Sequence, residues 1–191
     1  MARCFLLAMA GAALVSCGQI DAPQIFSFQF RVAPTDSTLI SEVQNGTRNI
    51  APLLTASPCV VAVSFADGVK PTVNQSGAPG DANYLITITA VNPVNFSTSS
   101  PAGCPVVTEV VLQAGGLGRN FGVGTTVDVT SLAIAFGSQR FTADSSNEHF
   151  EARLTGFAPA SSFVSGDFEA IAREDGSGAS MLIVSGSFAA E

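Results

Sequence analysis

Chemistry in this chain would rest on few side chains. His149 is the only histidine. Around it, Phe150, Ala152 and Leu154 alternate with His149, Glu151 and Arg153, which sets the imidazole on the polar face of a strand. A Ser-His-Asp triad would depend wholly on that residue, and no Gly-x-Ser-x-Gly turn is present to expose a serine. Carboxylates offer a second route. Asp167 and Glu169 share a strand face with Arg173, which reads as solvated surface; Asp67 and Asp81 bracket a long stretch and could serve as turn residues or as oxygen ligands for calcium. Glycoside hydrolysis would need two carboxylates facing each other across a groove. Zinc ordinarily takes several His or Cys ligands, so no metal site and no cofactor is expected. Gly116-Leu117-Gly118 followed by Gly122 misses the dinucleotide spacing and runs into an expected strand rather than a phosphate-holding helix. With no catalytic set, a non-enzymatic binding or structural module leads. A hydrolase using carboxylates or His149 is the alternative.

The elements that would position these residues read as strands. Phe26, Phe28, Phe30 and Val32 alternate with Ser27, Gln29 and Arg31, a half-buried strand from Ile25 that ends near Pro34. Asn45-Gly46 offers a type I′ hairpin turn between residues 39–43 and 47–50, with Pro52 confining the second arm to a sheet edge. Cys59, Val61, Val63 and Phe65 share one strand face, Ile86 and Ile88 another, and Cys104, Val106, Val110 and Leu112 a third. In an antiparallel meander the first and third of these run the same way, which brings Cys59 and Cys104 to one end, where they can form a disulfide. The loops Ala66 to Asn83 and Ala114 to Thr125 would then leave together at the opposite end. They carry Asp67, Lys70, Asp81, Arg119 and Asn120, the candidate binding rim.

Residues 127–136 read as one strand whose phase breaks, as at a bulge. Val164-Ser165-Gly166-Asp167-Phe168 and Val184-Ser185-Gly186-Ser187-Phe188 read as arms of a hairpin closed through Asp175-Gly176-Ser177-Gly178. Pairing residue 173 with 179 would set Gly166 opposite Gly186 and Val164 opposite Phe188, glycine beside aromatic cover. The expected fold is all-β, an antiparallel β-sandwich of about nine or ten strands with one disulfide, the alternative being a closed antiparallel β-barrel.

The first residues carry an address. Arg3 precedes an apolar run from Cys4 to Val15, a secretory layout too short for the roughly 20 residues of a membrane-spanning helix. Ala8-Met9-Ala10 or Ala10-Gly11-Ala12 could serve an ordinary signal peptidase. Leu14-Val15-Ser16-Cys17, at the end of the run, resembles the bacterial lipobox. That resemblance implies a lipoprotein signal peptide over 1–16, a diacylglyceryl group on the Cys17 thiol and an acyl chain on its amino group. It also implies a lipidated tether over 17–24 and a mature single all-β domain over 25–191. Two or three acyl chains, at about 0.8 kcal/mol per buried CH₂, hold a protein to a bilayer. Gly18 stands where an aspartate would resemble inner-membrane retention, so the outer membrane is the expected side of a two-membrane envelope. At about 3.3 Å per residue the tether reaches on the order of 20 Å, which keeps the domain close to lipid.

Composition agrees with an exported, folded domain. Charged residues are 12% and mean hydropathy is +0.39, too apolar for disorder. Arg3 leaves with the leader, so fifteen acidic groups face fewer than half as many bases, and phosphate backbones are repelled. Nucleic acid is excluded as a partner. The partners expected are the membrane, through lipid on Cys17, and an envelope protein or polymer. Sugar stacking is disfavoured by the absence of Trp and the single Tyr84. Asn45, Asn74 and Asn95 begin glycosylation-type triplets that read here as turn residues.

Overall fold

A period of two in the side chains becomes a single apolar face only in an extended strand, and β1 (Ile25–Pro34) shows it: Phe28 and Phe30 are buried, Gln29 and Arg31 exposed. The structure, a computed structural model, describes residues 25–55, 59–64, 72–78, 81, 83–91, 97–98, 104–115, 126–127, 129–144, 148–158 and 163–190. After β1 come a helix, α1 (Ser37–Gln44), a 3₁₀ turn (Ala51–Leu54) and the strands β2 (Cys59–Ser64), β3 (Thr72–Ser76) and β4 (Leu85–Val91). They are followed by β5 (Ser97–Thr98), β6 (Glu109–Gly115), β7 (Thr126–Val127), β8 (Val129–Phe136), β9 (Gln139–Asp144), β10 (His149–Ala158), β11 (Phe163–Glu174) and β12 (Ser180–Ala190).

All twelve described strands belong to one curled antiparallel sheet, ordered β3-β4-β6-β8-β9-β11-β12-β1-β2-β5, with β10 and β7 branching from β11. The fork at β11 shapes the molecule. On one side β11 pairs with β12 from Val164 to Arg173; on the other it pairs with β10 over Phe163 to Ile171 and with β9 only at Arg173 and Glu174. The core fills the concave side, with Ile86 and Ile88, Val110 and Leu112, Leu132 and Ile134, Ala170 and Ala172, and Leu182 and Val184 all buried. A chain of rings runs through it, Phe188 to Phe168 to Phe28 to Phe30 to Phe136 to Phe141, with centroids 5.0–6.5 Å apart.

Two glycines admit these rings. The register sets Gly166 opposite Phe188 and Gly186 opposite both Phe168 and Phe28. A Cβ on Gly166 would stand 2.5 Å from the Arg153 carbonyl oxygen and 2.8 Å from the Phe188 ring; one on Gly186 would overlap Phe28 and the Ser27 carbonyl oxygen. The hairpin is as expected, but its register lies two residues from the expected one, so each glycine stands opposite a phenylalanine and not opposite the other glycine. The chain closes after Glu174, through Gly176 and Gly178, both at positive φ.

Asn45-Gly46 does not turn a hairpin. The Asp36 carboxylate accepts from the Thr38 and Leu39 N–H groups and starts α1, whose Leu39, Ile40 and Val43 make one buried stripe. Gly46, at φ +68, ends it by donating its N–H to the Val43 carbonyl oxygen. Pro52 lies in the first turn of the 3₁₀ segment, where its missing N–H is no loss. With Ile50 and Leu54, the helix covers Ile171, Met181 and Ile183 on the convex face of the sheet.

The disulfide Cys59–Cys104 is present, with Cα atoms 5.8 Å apart. It does not arise from a meander. β2 lies beside β1 and β5, whereas β4 and β6 are on the other arm of the curl, and Cys104 sits in irregular chain ahead of β6. β2 and β6 still run the same way because the intervening order alternates strand directions, so the bridge ties the two arms at one end. Closing its 45-residue separation contributes roughly 4 kcal/mol in the chain-entropy model. Two inward expectations fail nearby: Val106 is 64% exposed and Val107 is buried in its place, while Val32 is 42% exposed, past Phe30, where the pairing of β1 with the first residue of β2 stops. The phase break expected within 127–136 is present as a bulge in β8, where Ser131 faces Gln113 but Val129 faces Ala114, and the partner changes there too, with β7 on β10 and β8 on β6 and β9.

Candidate functional site

On the convex face, β10, β11, β12 and β1 present the residues that alternation turns away from the core. Their register lines up two polar rows. Arg153, Asp167, Ser187 and Ser27 form one; Glu151, Glu169, Ser185 and Gln29 form the next, continued by Val60. His149 precedes Glu151 by one step on the same face. Behind them Phe150, Ala152, Phe168 and Ala170 are buried, so the core holds the backbone that carries these side chains. The rows border two adjoining open hollows of about 170 and 370 Å³, which share Asp167 and Ser185.

The charge arrangement is unusual for a plain surface. Glu151 and Glu169 stand directly opposite across β10 and β11, where like charges destabilise a pair. His149 Nε2 lies 3.4 Å from Glu169 Oε1, with the imidazole 15% exposed. It is therefore less solvated than its place on a polar face implies. Glu151 has no ion pair or hydrogen bond among the described residues. One donor atom from each of His149, Glu151 and Glu169 lies within 4.8 Å of the others. Among the described residues no hydroxyl hydrogen-bonds to His149, so the arrangement lacks the nucleophile that a serine triad requires.

Sequence reading set His149, Glu151 and Arg153 on one face and Asp167, Glu169 and Arg173 on another; the register merges the two faces into one site. No local signal marks this convergence, because Glu169 joins through a pairing with a bulge between Leu154 and Gly156. A one-residue slip there would turn Glu151 and His149 to the core. Arg173 stands apart, its Nε 3.5 Å from Glu148 Oε1.

The expected rim fares differently. Asp67, Lys70, Arg119 and Asn120 lie outside the described residues. Asp81 is exposed and closes a turn, its Oδ2 accepting from the Ala78 N–H at 3.1 Å. The stretch Ala66 to Asn83 is not one long loop, because β3 occupies Thr72–Ser76 and pairs with β4. Both segments depart from the end of the sheet where β1 begins: Ser64, the last residue of β2, pairs with Ile25, and β6 runs in the same direction as β2. The rim's roots and the entry to β1 therefore share one end, and the disulfide lies toward the other.

That other end is held by carboxylates with local partners. Glu174 accepts from Ser177 Oγ at 2.7 Å and from Gln139 Nε2 at 3.1 Å. The Ser177 hydrogen bond, opposed by partial desolvation and aided by Gln139 and Ser180, holds its carboxyl below the ordinary range. Arg140 reaches Glu109 and Asp175 at 3.6 and 3.7 Å. On the concave side, burial pushes the Tyr84 hydroxyl upward in pKa, and it donates to Gln75 Oε1 at 2.8 Å.

Among the described residues no helix is long and apolar enough to cross a membrane. Comparison with protein-family models, with curated proteins and with solved structures finds no match for the chain.

Proposed function

We propose that the protein is a lipid-anchored envelope module that binds a polar envelope component, protein or polymer, through the acidic groove on its convex face. The observation that carries this reading is the directly opposed pair Glu151 and Glu169, set in the regular β10–β11 register, bordering open space and left without a basic counterpart in the same row. Like charges set opposite one another cost stability, and residues that break a local rule gather where function compensates. Anchoring rests on the lipobox-like Leu14-Val15-Ser16-Cys17. With a tether of eight residues, the end holding Ile25, where the rim segments are rooted, lies nearest the lipid. The groove, on the flank, stays accessible from the side, so it replaces the loop rim as the binding surface.

For the architecture we favour the sandwich over the closed barrel. Among the described residues the arm β3-β4-β6-β8-β9 is strand-paired to the arm carrying β11, β12, β1 and β2 only through the two-residue pairing of β9 with β11, while Phe136 of β8 packs on Phe30 of β1, from the opposite arm, at 5.0 Å. Two layers joined by a narrow seam give this pattern.

Two measurements test the function. Metabolic labelling with a fatty acid should mark the wild-type chain and not Cys17→Ser; label retained by Cys17→Ser would remove the anchor. A photo-crosslinker at Ser185 on intact cells should capture a component that Glu151→Gln with Asp167→Asn releases. A crosslinker at Thr87, outside the groove, should capture none of it. Equal capture from both positions would refute the groove.

A further inference from the structure

The donor set at the mouth of the groove goes beyond a general acidic surface, and its argument does not depend on the partner proposed above. We propose that His149, Glu151 and Glu169 bind one divalent transition-metal ion of the zinc class, with open coordination positions facing the groove.

Three observations carry it. The donors are of mixed type, one imidazole nitrogen and two carboxylates, a combination that suits zinc or its first-row neighbours; calcium, by contrast, takes six to eight oxygens. They come from fixed positions: His149 and Glu151 are two apart on β10, and Glu169 is the direct cross-strand partner of Glu151. Their ligand atoms already lie within 4.8 Å of one another. A tetrahedral ion with bonds near 2.0–2.2 Å needs donors about 3.4 Å apart. Side-chain torsions alone cover the difference, and the buried Phe150, Ala152, Phe168 and Ala170 behind them need not move.

The electrostatics point the same way. Glu151 and Glu169 repel across the pair, and Glu151 has no cation of its own among the described residues. A dication would remove that repulsion and bind both carboxylates. Three protein ligands leave a fourth position for water or a donor group of whatever occupies the groove, as in zinc sites that act on a ligand rather than staple a fold. Sequence reading set zinc aside for want of His and Cys; the two carboxylates supply what those residues do not.

The full chain, purified in detergent and stripped with chelator, would be dialysed against Zn²⁺ and separately titrated with Co²⁺ as a spectroscopic probe. One ion per chain is expected. His149→Gln and Glu169→Gln should each weaken binding about tenfold or more, and His149→Gln should also change the Co²⁺ visible spectrum. Glu151→Gln should do the same to affinity, and because this side chain is exposed and makes no bond among the described residues, its loss cannot be ascribed to misfolding. Asp167→Asn, one row away, should bind as wild type. No binding by the stripped wild type would overturn the site. So would affinity held within about twofold in all three donor variants, or an equal loss in Asp167→Asn, the mark of a diffuse acidic surface. Glu151→Gln enters the crosslinking experiment too, so His149→Gln and Glu169→Gln, which that experiment does not use, test the metal separately from the groove.

Discussion

On the convex face of β11 and β12, Ile171 and Ile183 lie buried beneath α1, while Glu169 and Ser185, one step along each strand, border an open groove. The strands, the face and the concave core behind them are the same. What differs is the cover. Asp36 starts a helix just after β1, and its Leu39, Ile40 and Val43 shield one end of the face; nothing among the described residues shields the rest. Alternation tells which residues leave the core, not what meets them afterwards. The covered end therefore needs apolar groups for stability, whereas the open end is free to place two carboxylates opposite each other.

Exchanging the chemistry of the two ends gives the largest expected effect. Ile171→Glu would put an unpaired carboxylate under α1 and should cost more than about 4 kcal/mol in chemical unfolding, enough to unfold many domains of this size. Glu169→Ile, one step away, should change stability by less than about 0.5 kcal/mol, or raise it by a few tenths, because it removes a like-charge pair. Comparable losses for both would mean that the cover does not distinguish the two ends.

Loosening the cover itself should have a smaller effect. Asp36→Ala leaves the Thr38 and Leu39 N–H groups without their acceptor and should cost about 1 kcal/mol. Hydrogen exchange would show where the loss falls. Protection should drop across α1 and at Ile171 and Ile183 and stay unchanged at Glu169 and Ser185. A uniform drop along β11 and β12 would mean that the cap supports the whole sheet and not one end of it.

The open end was more legible in sequence than the covered one, for physical reasons. His149, Glu151 and Arg153 alternate with large apolar residues over a long strand, and Val164 to Phe188 folds about a Gly-rich turn, so faces and hairpin could be read directly. The helix hid because its stripe is only Leu39, Ile40 and Val43, and because Asn-Gly serves as well to stop a helix as to turn a hairpin. β5 and β7 are two residues long and carry no period. Which strands became neighbours was beyond local pattern altogether. The meander between the cysteines failed for that reason, and so did the meeting of Glu169 with Glu151, which depends on a bulged register set through the rest of the sheet.

The smallest expected effect sharpens the contrast between carboxylates that are satisfied and carboxylates that are available. Glu174, at the far end of β11, has Ser177 and Gln139 as neutral donors, whereas Glu151 has none among the described residues. Because the folded-state pKa of Glu174 is depressed, its hydrogen bonds contribute stability above the ordinary carboxylate pKa, and that contribution is lost as pH falls through the lower, folded value. Carbon-detected titration of its side chain should show a midpoint below that of an unfolded glutamate. Ser177→Ala should move the midpoint back up, since that hydrogen bond is the main cause of the shift. Added salt should leave it nearly in place, because the donors are short-range and uncharged and screening acts on charge pairs. A midpoint that stays put in Ser177→Ala but climbs with salt would assign the shift to the nearby Arg140 cluster, and the turn would lose its claim to be self-contained.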